Sequence, residues 1–274
     1  MGRVGILYIC TGRYTIFWDG FYRSCERHFL PGHEKHYFVF TDGEIGHTEE
    51  PRVHRIEQED RGWPDNTLKR FHMFERIAPE LEPTEYLFFF NANMLLVSDI
   101  GDEIFPSEDE GLVVTRHPGF YDRAVKDLPY ERDPRSRARI PEGEGRVYVQ
   151  GAFNGGRRDD FLGMIRFLRQ AVDDDASRGI VAQWHDESHL NRYILGRPYK
   201  LLDPGYCYPE GATLPFAPRI MMLNKYHYGG HDYLRGQSDA PSRGEPARPS
   251  FVARVLKKIG DRISRDGGGR KKGA

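Results

Sequence analysis

Short runs of apolar residues alternate along the chain with longer segments in which apolar residues recur every three or four positions. The short runs have the length and composition of buried strands and lie at 4–10, 36–42, 87–90, 111–117 and 146–156. The periodic segments are typical of amphipathic helices and lie at 17–29, 66–81, 159–176 and 184–195. Strands that alternate with helices predict an α/β fold, with a mostly parallel central sheet flanked by helices.

Two asparagines interrupt the apolar stretch 88–97, which reads FFFNANMLLV. They follow a predicted strand directly, and ligands of parallel α/β sheets bind beyond the carboxyl ends of the strands. If the alternation of the strand continues, Asn91 and Asn93 point to the same side and Ala92 points away. Two amides there could bind phosphate and ribose oxygens, but they offer no negative charge to a divalent cation. The alternative is a structural turn in which asparagine bonds to nearby backbone.

A second polar cluster, WHDESHLN at 184–191, begins a predicted helix. Asp186 suits the N-cap of that helix, because acidic residues are favoured at helix N-termini. Capping accounts for one carboxylate and leaves Trp184 and Glu187 unexplained. We therefore predict a functional site at this helix start.

Two glycine-containing segments, HPGFY at 117–121 and QGAFNGG at 150–156, contain further candidates. A His-Pro-Gly turn beside aromatic rings could form a wall for a sugar. The small residues Gly151 and Ala152 would let a ligand approach the backbone closely. Ordinary turn chemistry is the alternative for each segment, and the glycine spacing does not match a dinucleotide-binding fingerprint.

The 274 residues suffice for one large domain, and no apolar run reaches the roughly 18 residues of a membrane span. The start of the chain runs directly into a predicted strand, so we expect no signal peptide. The three cysteines (Cys10, Cys25 and Cys207) are scattered, which argues against a disulfide framework and favours a reducing compartment. We therefore expect a cytoplasmic protein.

The charge of the chain is distributed unevenly. Residues 250–274 carry eight Lys or Arg and two Asp, a net of +6, whereas residues 1–249 have a net of −7. Residues 235–249 have the composition of a linker between a domain at 1–234 and this basic tail. The tail combines an apolar helix face with basic positions, which favours contact of residues 250–265 with an anionic surface at the inner face of the membrane. Packing of the tail on the domain, or disorder, is the alternative, and the acidic body argues against a nucleic-acid partner.

Five segments together closely resemble the family 6 glycosyltransferases, the relatives of the ABO blood-group transferases and of α-1,3-galactosyltransferase. The segments are HYFVFTD at 36–42, HPGFY at 117–121, YERDPRSRARIPEGEG at 130–145, GAFNGG at 151–156 and WHDESHLNRY at 184–193. The resemblance covers about residues 4–230. The order and content of these motifs make it highly specific.

The resemblance implies a GT-A fold, in which a nucleotide-sugar donor and an acceptor meet at the carboxyl edge of the sheet. It implies transfer of galactose or N-acetylgalactosamine from UDP to the 3-hydroxyl of a β-galactoside, with retention of the anomeric configuration. The acceptor is often an α-1,2-fucosylated galactose. We favour N-acetylgalactosamine as the donor sugar, because Gly151 and Ala152 leave a small pocket open on one side.

The resemblance also assigns roles to individual residues by position. The donor-binding residues that it implies are Ile9, Thr11, Tyr14, Trp63, Arg70, Asn91, Ala92, Asn93, Gln150, Gly151, Ala152, His185, Asp186 and Lys225. The acceptor-binding residues that it implies are His117, Phe120, Trp184 and Glu187. The catalytic residues that it implies are Glu187, on the β-face of the anomeric carbon, with Arg70 and Asp186. The alternative function is a non-catalytic UDP-sugar or glycan-binding relic of the same fold, and the three catalytic residues argue against it.

The asparagine pair is the point where the chain departs from the animal members, which have Asp-Val-Asp there and use it to bind Mn²⁺. Replacing two carboxylates with amides removes the charge that attracts the ion, and similar bacterial members with Asn-X-Asn transfer sugar without a metal. We therefore expect neither a metal ion nor another cofactor. In this hypothesis Asn91 and Asn93 hydrogen-bond to the UDP, and Lys225 and Arg70 neutralise the leaving diphosphate.

Overall fold

A computed structural model describes residues 2–242 of the chain. The helices are α1 (Trp18–His28), α2 (Asp65–Leu68), α3 (Arg70–Arg76), α4 (Arg158–Ser177), α5 (Asp186–Ile194) and α6 (Gly230–Leu234). The strands are β1 (Arg3–Ile9), β2 (Glu34–Thr41), β3 (Val53–Glu57), β4 (Tyr86–Phe90), β5 (Met94–Leu96), β6 (Leu112–Arg116), β7 (Val149–Arg157), β8 (Lys200–Leu202), β9 (Tyr208–Pro209) and β10 (Ile220–Met222). Short 3₁₀ helices lie at Gly12–Phe17, Ala78–Leu81, Asp102–Ile104, Val125–Asp127, Pro204–Cys207 and Lys225–Tyr228.

Seven strands form the central sheet, in the order β3-β2-β1-β4-β7-β6-β8. The pairs β1–β2, β1–β4, β2–β3 and β6–β8 are parallel, whereas β7 runs antiparallel to both β4 and β6. The predicted α/β fold with a mostly parallel sheet is thus confirmed, and it is of the GT-A type. Because β7 runs the other way, its first residues lie at the edge where β4 and β6 end. A smaller sheet of β5, β10 and β9 lies beside it.

Helices cover both faces of the central sheet. Phe88 and Phe90 of β4 belong to one core cluster, together with Phe21 of α1. Leu87 and Phe89 of the same strand belong to a second cluster, together with residues of α3, α4 and α5. Successive side chains of a strand point to opposite faces, and a strand buried on both faces therefore has a continuous apolar sequence. This is why β4 contains no polar residue before the asparagine pair.

The predicted helix at 66–81 is divided in the structure into α2, α3 and the 3₁₀ helix Ala78–Leu81. Pro79 has no backbone N–H to donate, so an α-helix cannot continue through it with its usual hydrogen bonds. Strand β3 was not predicted. It is an edge strand whose residues after Val53 are partly exposed or exposed, and its polar composition gives no strand signal.

The two glycines expected to end the strand at 146–156 lie inside β7, where Gly155 pairs with Phe88 and Gly156 pairs with Leu87. A Cβ atom added to Gly155 would collide with the Phe88 ring. Glycine therefore allows close packing of β7 against β4, and the strand continues to Arg157.

The first residues of the predicted linker contact the domain. The Arg13 guanidinium donates to the carbonyl of Ser238 (2.6 Å), and the Ser242 N–H donates to the carbonyl of Gly229 (2.8 Å). The remaining linker residues, 243–249, and the predicted basic tail at 250–274 lie outside the described residues. None of the helices within residues 2–242 combines the length and the apolar character that a membrane span requires.

Candidate active site

A cleft of about 240 Å³ opens where β1 and β4 end. Nine of the predicted donor-binding residues line it, namely Ile9, Thr11, Tyr14, Trp63, Arg70, Asn91, Ala92, Asn93 and Lys225. The other predicted donor-binding residues lie outside its lining, namely Gln150, Gly151, Ala152, His185 and Asp186. The lining also contains residues that were not predicted, which are Asp60, Gly62, Asn66, Thr67, Phe89, Leu234 and Arg235.

One wall of the cleft is built by polar contacts between the segment before α2 and the end of β1. The Asn66 side-chain amide donates to Asp60 (2.5 Å) and to the hydroxyl of Thr11 (3.1 Å). The Gly62 N–H also donates to Asp60 (2.9 Å). The contact between Asn66 and Thr11 joins positions 55 residues apart, and neither Asp60 nor Asn66 stands at the end of an apolar run. The sequence pattern therefore contained no signal for them.

Two cations lie against aromatic rings of the cleft. The Lys225 ammonium lies 5.1 Å from the centre of the Tyr14 ring, and the Arg235 guanidinium lies 4.6 Å from the centre of the Trp63 ring. Burial, with a smaller contribution from Arg235, lowers the pKa of Lys225 to about 8. An anion in the cleft would stabilise the charged form of this lysine. This part of the cleft is thus suited to a phosphate group.

The asparagine pair forms a turn between β4 and β5 and does not continue the strand, so the predicted strand alternation of its side chains does not apply. The Asn91 N–H donates to the carbonyl of Ala152 (2.9 Å). The Asn93 side-chain amide donates to the carbonyl of Leu223 (2.8 Å), whose N–H donates back to the carbonyl of Asn93 (2.8 Å). Asn93 therefore ties β5 and its neighbour β10 together at the floor of the cleft.

A buried ion pair lies next to this turn. The guanidinium of Arg70 contacts the carboxylate of Asp186 at 2.8 Å and donates to the carbonyl of Gly151 at 2.8 Å. Only 4% of the Arg70 side chain and 6% of the Asp186 side chain are exposed. The pKa of Asp186 is raised and the pKa of Arg70 is lowered, in both cases mainly by burial. The charge of Arg70 is therefore largely balanced by Asp186, whereas Lys225 and Arg235 contact aromatic rings in the cleft.

Glu187 lies beside the ion pair at the start of α5. Its carboxylate accepts a hydrogen bond from the N–H of Gly151 (2.8 Å). Burial is the main cause that raises its pKa to about 7, and Asp186 raises it further. The Gly151 N–H, the Tyr148 hydroxyl and Arg70 act in the opposite direction. A carboxylate that titrates near neutral pH in a cleft is typical of a reactive group.

The predicted acceptor residues form an aromatic wall outside the lining of the cleft. The ring of His117 lies 4.8 Å from that of Phe120, which lies 5.2 Å from that of Tyr148. Trp184 packs against the same cluster. Burial lowers the pKa of His117 to about 3, so the ring is neutral, and its Nδ1 accepts from the N–H of Gly119 (3.0 Å). The ring proton is then on Nε2, from which it could donate to a sugar hydroxyl.

Two predicted donor residues link the cleft to this wall. The side-chain amide of Gln150 donates to the sulfur of Met222 (3.2 Å). The ring of His185 lies 5.1 Å from that of Trp63, and His185 adopts a positive φ of 53° immediately before α5. A backbone conformation that side chains rarely adopt is often found at functional sites. Trp63 of the cleft thus contacts the residue that directly precedes Asp186 and Glu187.

The site does not match the chemistry of a divalent-cation centre. Asn91 and Asn93 offer amides and no charge to a cation, and the amide of Asn93 is bonded to backbone. No group of three or more His, Cys, Asp or Glu side chains is arranged to hold a metal ion anywhere in residues 2–242. Hard cations such as Mn²⁺ prefer charged oxygen ligands. The residues present therefore do not fit this ion.

An α/β sheet of the GT-A type, with two cations in a cleft at its carboxyl edge and a buried carboxylate near an aromatic wall, is consistent with an enzyme that transfers sugars. Residues 2–229 match the sequence model of a family described as glycosyltransferase family 6. The chain belongs to this family, as its motifs predicted, and it is a glycosyltransferase.

Relatives come from bacteria and from vertebrates. The chain is 37% identical over 223 residues to the O-antigen biosynthesis glycosyltransferase WbnI of Escherichia coli, an alignment that covers 81% of this chain and 94% of the relative. It is 32% identical over 233 residues to histo-blood group ABO system transferase 1 of Rattus norvegicus, covering 81% of this chain and 65% of the relative. It is 30% identical over 232 residues to globoside alpha-1,3-N-acetylgalactosaminyltransferase 1 of Gallus gallus, covering 80% of this chain and 65% of the relative. The chain thus spans about two thirds of the length of these two vertebrate relatives.

Proposed function

We propose that this protein transfers N-acetylgalactosamine or galactose from the UDP-sugar to the 3-hydroxyl of a β-galactoside, with retention of the anomeric configuration. The observation that carries the proposal is the contact of Glu187 and of the Arg70–Asp186 pair with one glycine, Gly151. These groups lie between a cleft suited to a nucleotide diphosphate and a wall suited to a sugar. Relatives that include an alpha-1,3-N-acetylgalactosaminyltransferase and an ABO transferase support the linkage and the donor class.

In this proposal the UDP moiety lies in the cleft, in contact with Thr11, Tyr14 and Lys225. The bond between the anomeric carbon and the diphosphate oxygen breaks, and the bond to the acceptor oxygen forms on the same face. The proton of the acceptor hydroxyl passes to the leaving diphosphate. Glu187 stabilises the oxocarbenium-like transition state from the opposite face, either electrostatically or through a short-lived bond to the sugar.

We further propose that transfer does not require a metal ion. Lys225 and Arg235 are positioned to balance the charge that develops on the diphosphate, and charge balance of this kind is a large part of catalysis in phosphate-leaving reactions. The chemistry of the Asn91–Asn93 turn supports this, because amides bind phosphate oxygens as donors and bind hard cations poorly. Arg70 contributes less than the sequence indicated, since Asp186 pairs with it.

The acceptor that we propose is an α-1,2-fucosylated galactoside, and it can be tested together with the donor. UDP-galactose and UDP-N-acetylgalactosamine are each incubated with fucosylated and with plain lactose, and the released UDP is quantified. We expect acceptor-dependent release of UDP and an α-linked product, identified by the anomeric proton coupling in NMR spectra. A β-linked product would exclude retention. Binding of UDP without turnover on any pair would favour the glycan-binding alternative.

The sequence pattern of residues 250–265 is the basis for a last proposal, that the enzyme is cytoplasmic and contacts an anionic membrane surface through these residues. Co-sedimentation with anionic liposomes, compared between the full chain and a chain that ends at residue 249, tests this contact. We expect only the full chain to pellet with the liposomes. Equal pelleting of both chains would contradict the proposal.

A further inference from the structure

Strand β7 contains an irregularity directly beneath Glu187. Asn154 pairs with Val114 of β6, but the next residue of β6, Thr115, pairs with Gln150. Residues 151–153 therefore lie between two consecutive rungs of the β6–β7 ladder and have no partner on β6. We refer to residues 151–153 as the β7 bulge. Bulges redirect the chain locally and are over-represented beside active sites.

Each carbonyl of the β7 bulge accepts a hydrogen bond from outside the ladder to β6. The carbonyl of Gly151 accepts from the side-chain amide of Asn154 (3.1 Å) and from Arg70 (2.8 Å). The carbonyl of Ala152 accepts from the N–H of Asn91 (2.9 Å). The carbonyl of Phe153 accepts from the hydroxyl of Thr115 (3.2 Å).

Two of these donors are side chains buried in the middle of the sheet. Thr115 is fully buried and Asn154 is 3% exposed. Burying a hydroxyl or an amide is costly unless it is hydrogen-bonded, and an apolar residue would pack in either place without that cost. Their side chains donate to the carbonyls of Phe153 and Gly151, and the Thr115 hydroxyl also contacts the thiol of Cys207. Both side chains therefore stabilise the conformation of the β7 bulge.

The shape of the β7 bulge decides where the reactive groups lie. Gly151 holds Glu187 through its N–H and holds Arg70 through its carbonyl. A Cβ atom added to Gly151 would lie 3.0 Å from the carboxylate of Asp186. The glycine backbone and these charged groups are thus in close contact, and a shift of the β7 bulge by a fraction of an ångström would be transmitted to Glu187.

We propose that Thr115 and Asn154 are positioning residues for sugar transfer, which hold the β7 bulge so that Gly151 places Glu187 and Arg70 correctly. Both side chains are buried and lie outside the cleft lining, so both act through the β7 bulge and not on the substrates. The proposal rests on the proposed function, because it requires Glu187 to act at the anomeric carbon. It adds two residues that the catalytic motifs of the sequence did not indicate.

The test compares Thr115→Val, which keeps the shape of the side chain and removes the hydroxyl, with Thr115→Ser, which keeps the hydroxyl. Asn154→Ala removes the second donor. We expect Thr115→Val and Asn154→Ala each to lower kcat about tenfold or more, because small misplacements of catalytic groups are costly. The donor KM should change less than kcat, because neither substituted side chain is part of the cleft lining. Thr115→Ser should restore most of the rate.

The pH profile separates positioning from a general loss of stability. Loosening the bond from Gly151 to Glu187 removes a contact that lowers the pKa of this carboxyl, so the acid limb of kcat should move to higher pH. The titratable or charged groups that face Glu187 are Asp186, Arg70, Tyr148 and Cys207, and the variants leave all four in place. Val53→Ala, in the distant edge strand β3, is the control that lowers stability without moving this limb.

The outcomes are distinct. The proposal is supported if Thr115→Val lowers kcat tenfold and shifts the acid limb of the pH profile of kcat, and if Thr115→Ser restores both. This holds even if Asn154→Ala does not fold. Wild-type kcat in Thr115→Val, or a loss without a shift as in Val53→Ala, overturns it. If Glu187→Gln is inactive while Thr115→Val and Asn154→Ala behave as wild type, this inference alone is wrong. If Glu187→Gln itself keeps the wild-type rate, the proposed function is wrong.

Discussion

Glu187 combines a tight hydrogen bond from the Gly151 N–H with a pKa raised to about 7, mainly by burial. A carboxyl with this pKa is protonated below neutral pH and ionised above it. Because the ionised form is the one that stabilises positive charge at the anomeric carbon, kcat should rise as the pH increases from 6 to 8. A pH profile that is flat across this interval would contradict the assignment.

Replacing Glu187 with glutamine should separate binding from chemistry. The amide can still accept from Gly151 but carries no charge, so we expect kcat to fall by about 100-fold or more while the affinity for UDP is kept.

The raised pKa of Glu187 means that the folded state favours the protonated carboxyl. The stability that this protonated form contributes is lost as the pH rises from 4.5 to about 7. Thermal unfolding should therefore show the variant gaining stability relative to wild type at pH 8 and not at pH 4.

Lys225 is the residue whose charge responds most directly to the nucleotide. Burial lowers its pKa to about 8, and a bound diphosphate would raise it again. UDP binding should therefore weaken as the pH rises above 8 and should be accompanied by proton uptake, which calorimetry in two buffers of different ionisation enthalpy detects. Lys225→Met should weaken UDP binding about tenfold or more.

The exposed Lys126 provides the control for this experiment, because Lys126→Met removes a lysine far from the cleft lining. The UDP affinity and the proton uptake of Lys126→Met should match those of the wild type. Equal proton uptake in Lys225→Met and wild type would remove Lys225 from the diphosphate site.

At the scale of elements, helix α5 is held to α3 by the buried pair of Asp186 and Arg70. Asp186→Asn leaves the guanidinium buried without its counter-charge, which should cost about 3–5 kcal/mol in the free energy of unfolding. Urea unfolding measures this loss. The double variant Arg70→Met with Asp186→Leu should recover most of the stability and remain inactive, because burial of an ion pair is seldom required for stability alone.

The exposed pair of Asp19 and Arg23 on α1 is a matched control. Its side chains are 61% and 70% exposed, and Asp19→Asn should cost less than about 1 kcal/mol. If Asp186→Asn cost as little as Asp19→Asn, the buried pair would have no structural role.

The sequence predicted best the elements that pack in the core of the domain. The apolar run of β4 and the helical spacing of α1 and α4 identify their own structure, because packing requires those patterns. Edge strand β3 is polar on its exposed positions and gave no signal. The β7 bulge depends on hydrogen bonds from Thr115 and Asn91, which are distant in sequence, so local patterns could not predict it.

At the scale of the whole molecule, motifs predicted the family and most of the cleft, and three-dimensional contacts supplied the rest. The composition of residues 235–249 predicted a linker that begins at Arg235. In the structure Arg235 lies over Trp63 and lines the cleft. The ion pair between Arg70 and Asp186 joins residues that each looked available for the diphosphate or the sugar. Such charge compensation is visible only when distant segments are brought together.

In the proposed reaction, fixed cations and amides take the place of a metal ion at the diphosphate. The most direct measurement is the initial rate of transfer from the UDP-sugar in excess EDTA, compared with the rate in added Mn²⁺. We predict the same rate in both conditions, because Lys225 and Arg235 supply the positive charge and the Asn91–Asn93 turn fits no hard cation. Loss of transfer in EDTA that is restored by Mn²⁺ would contradict the account.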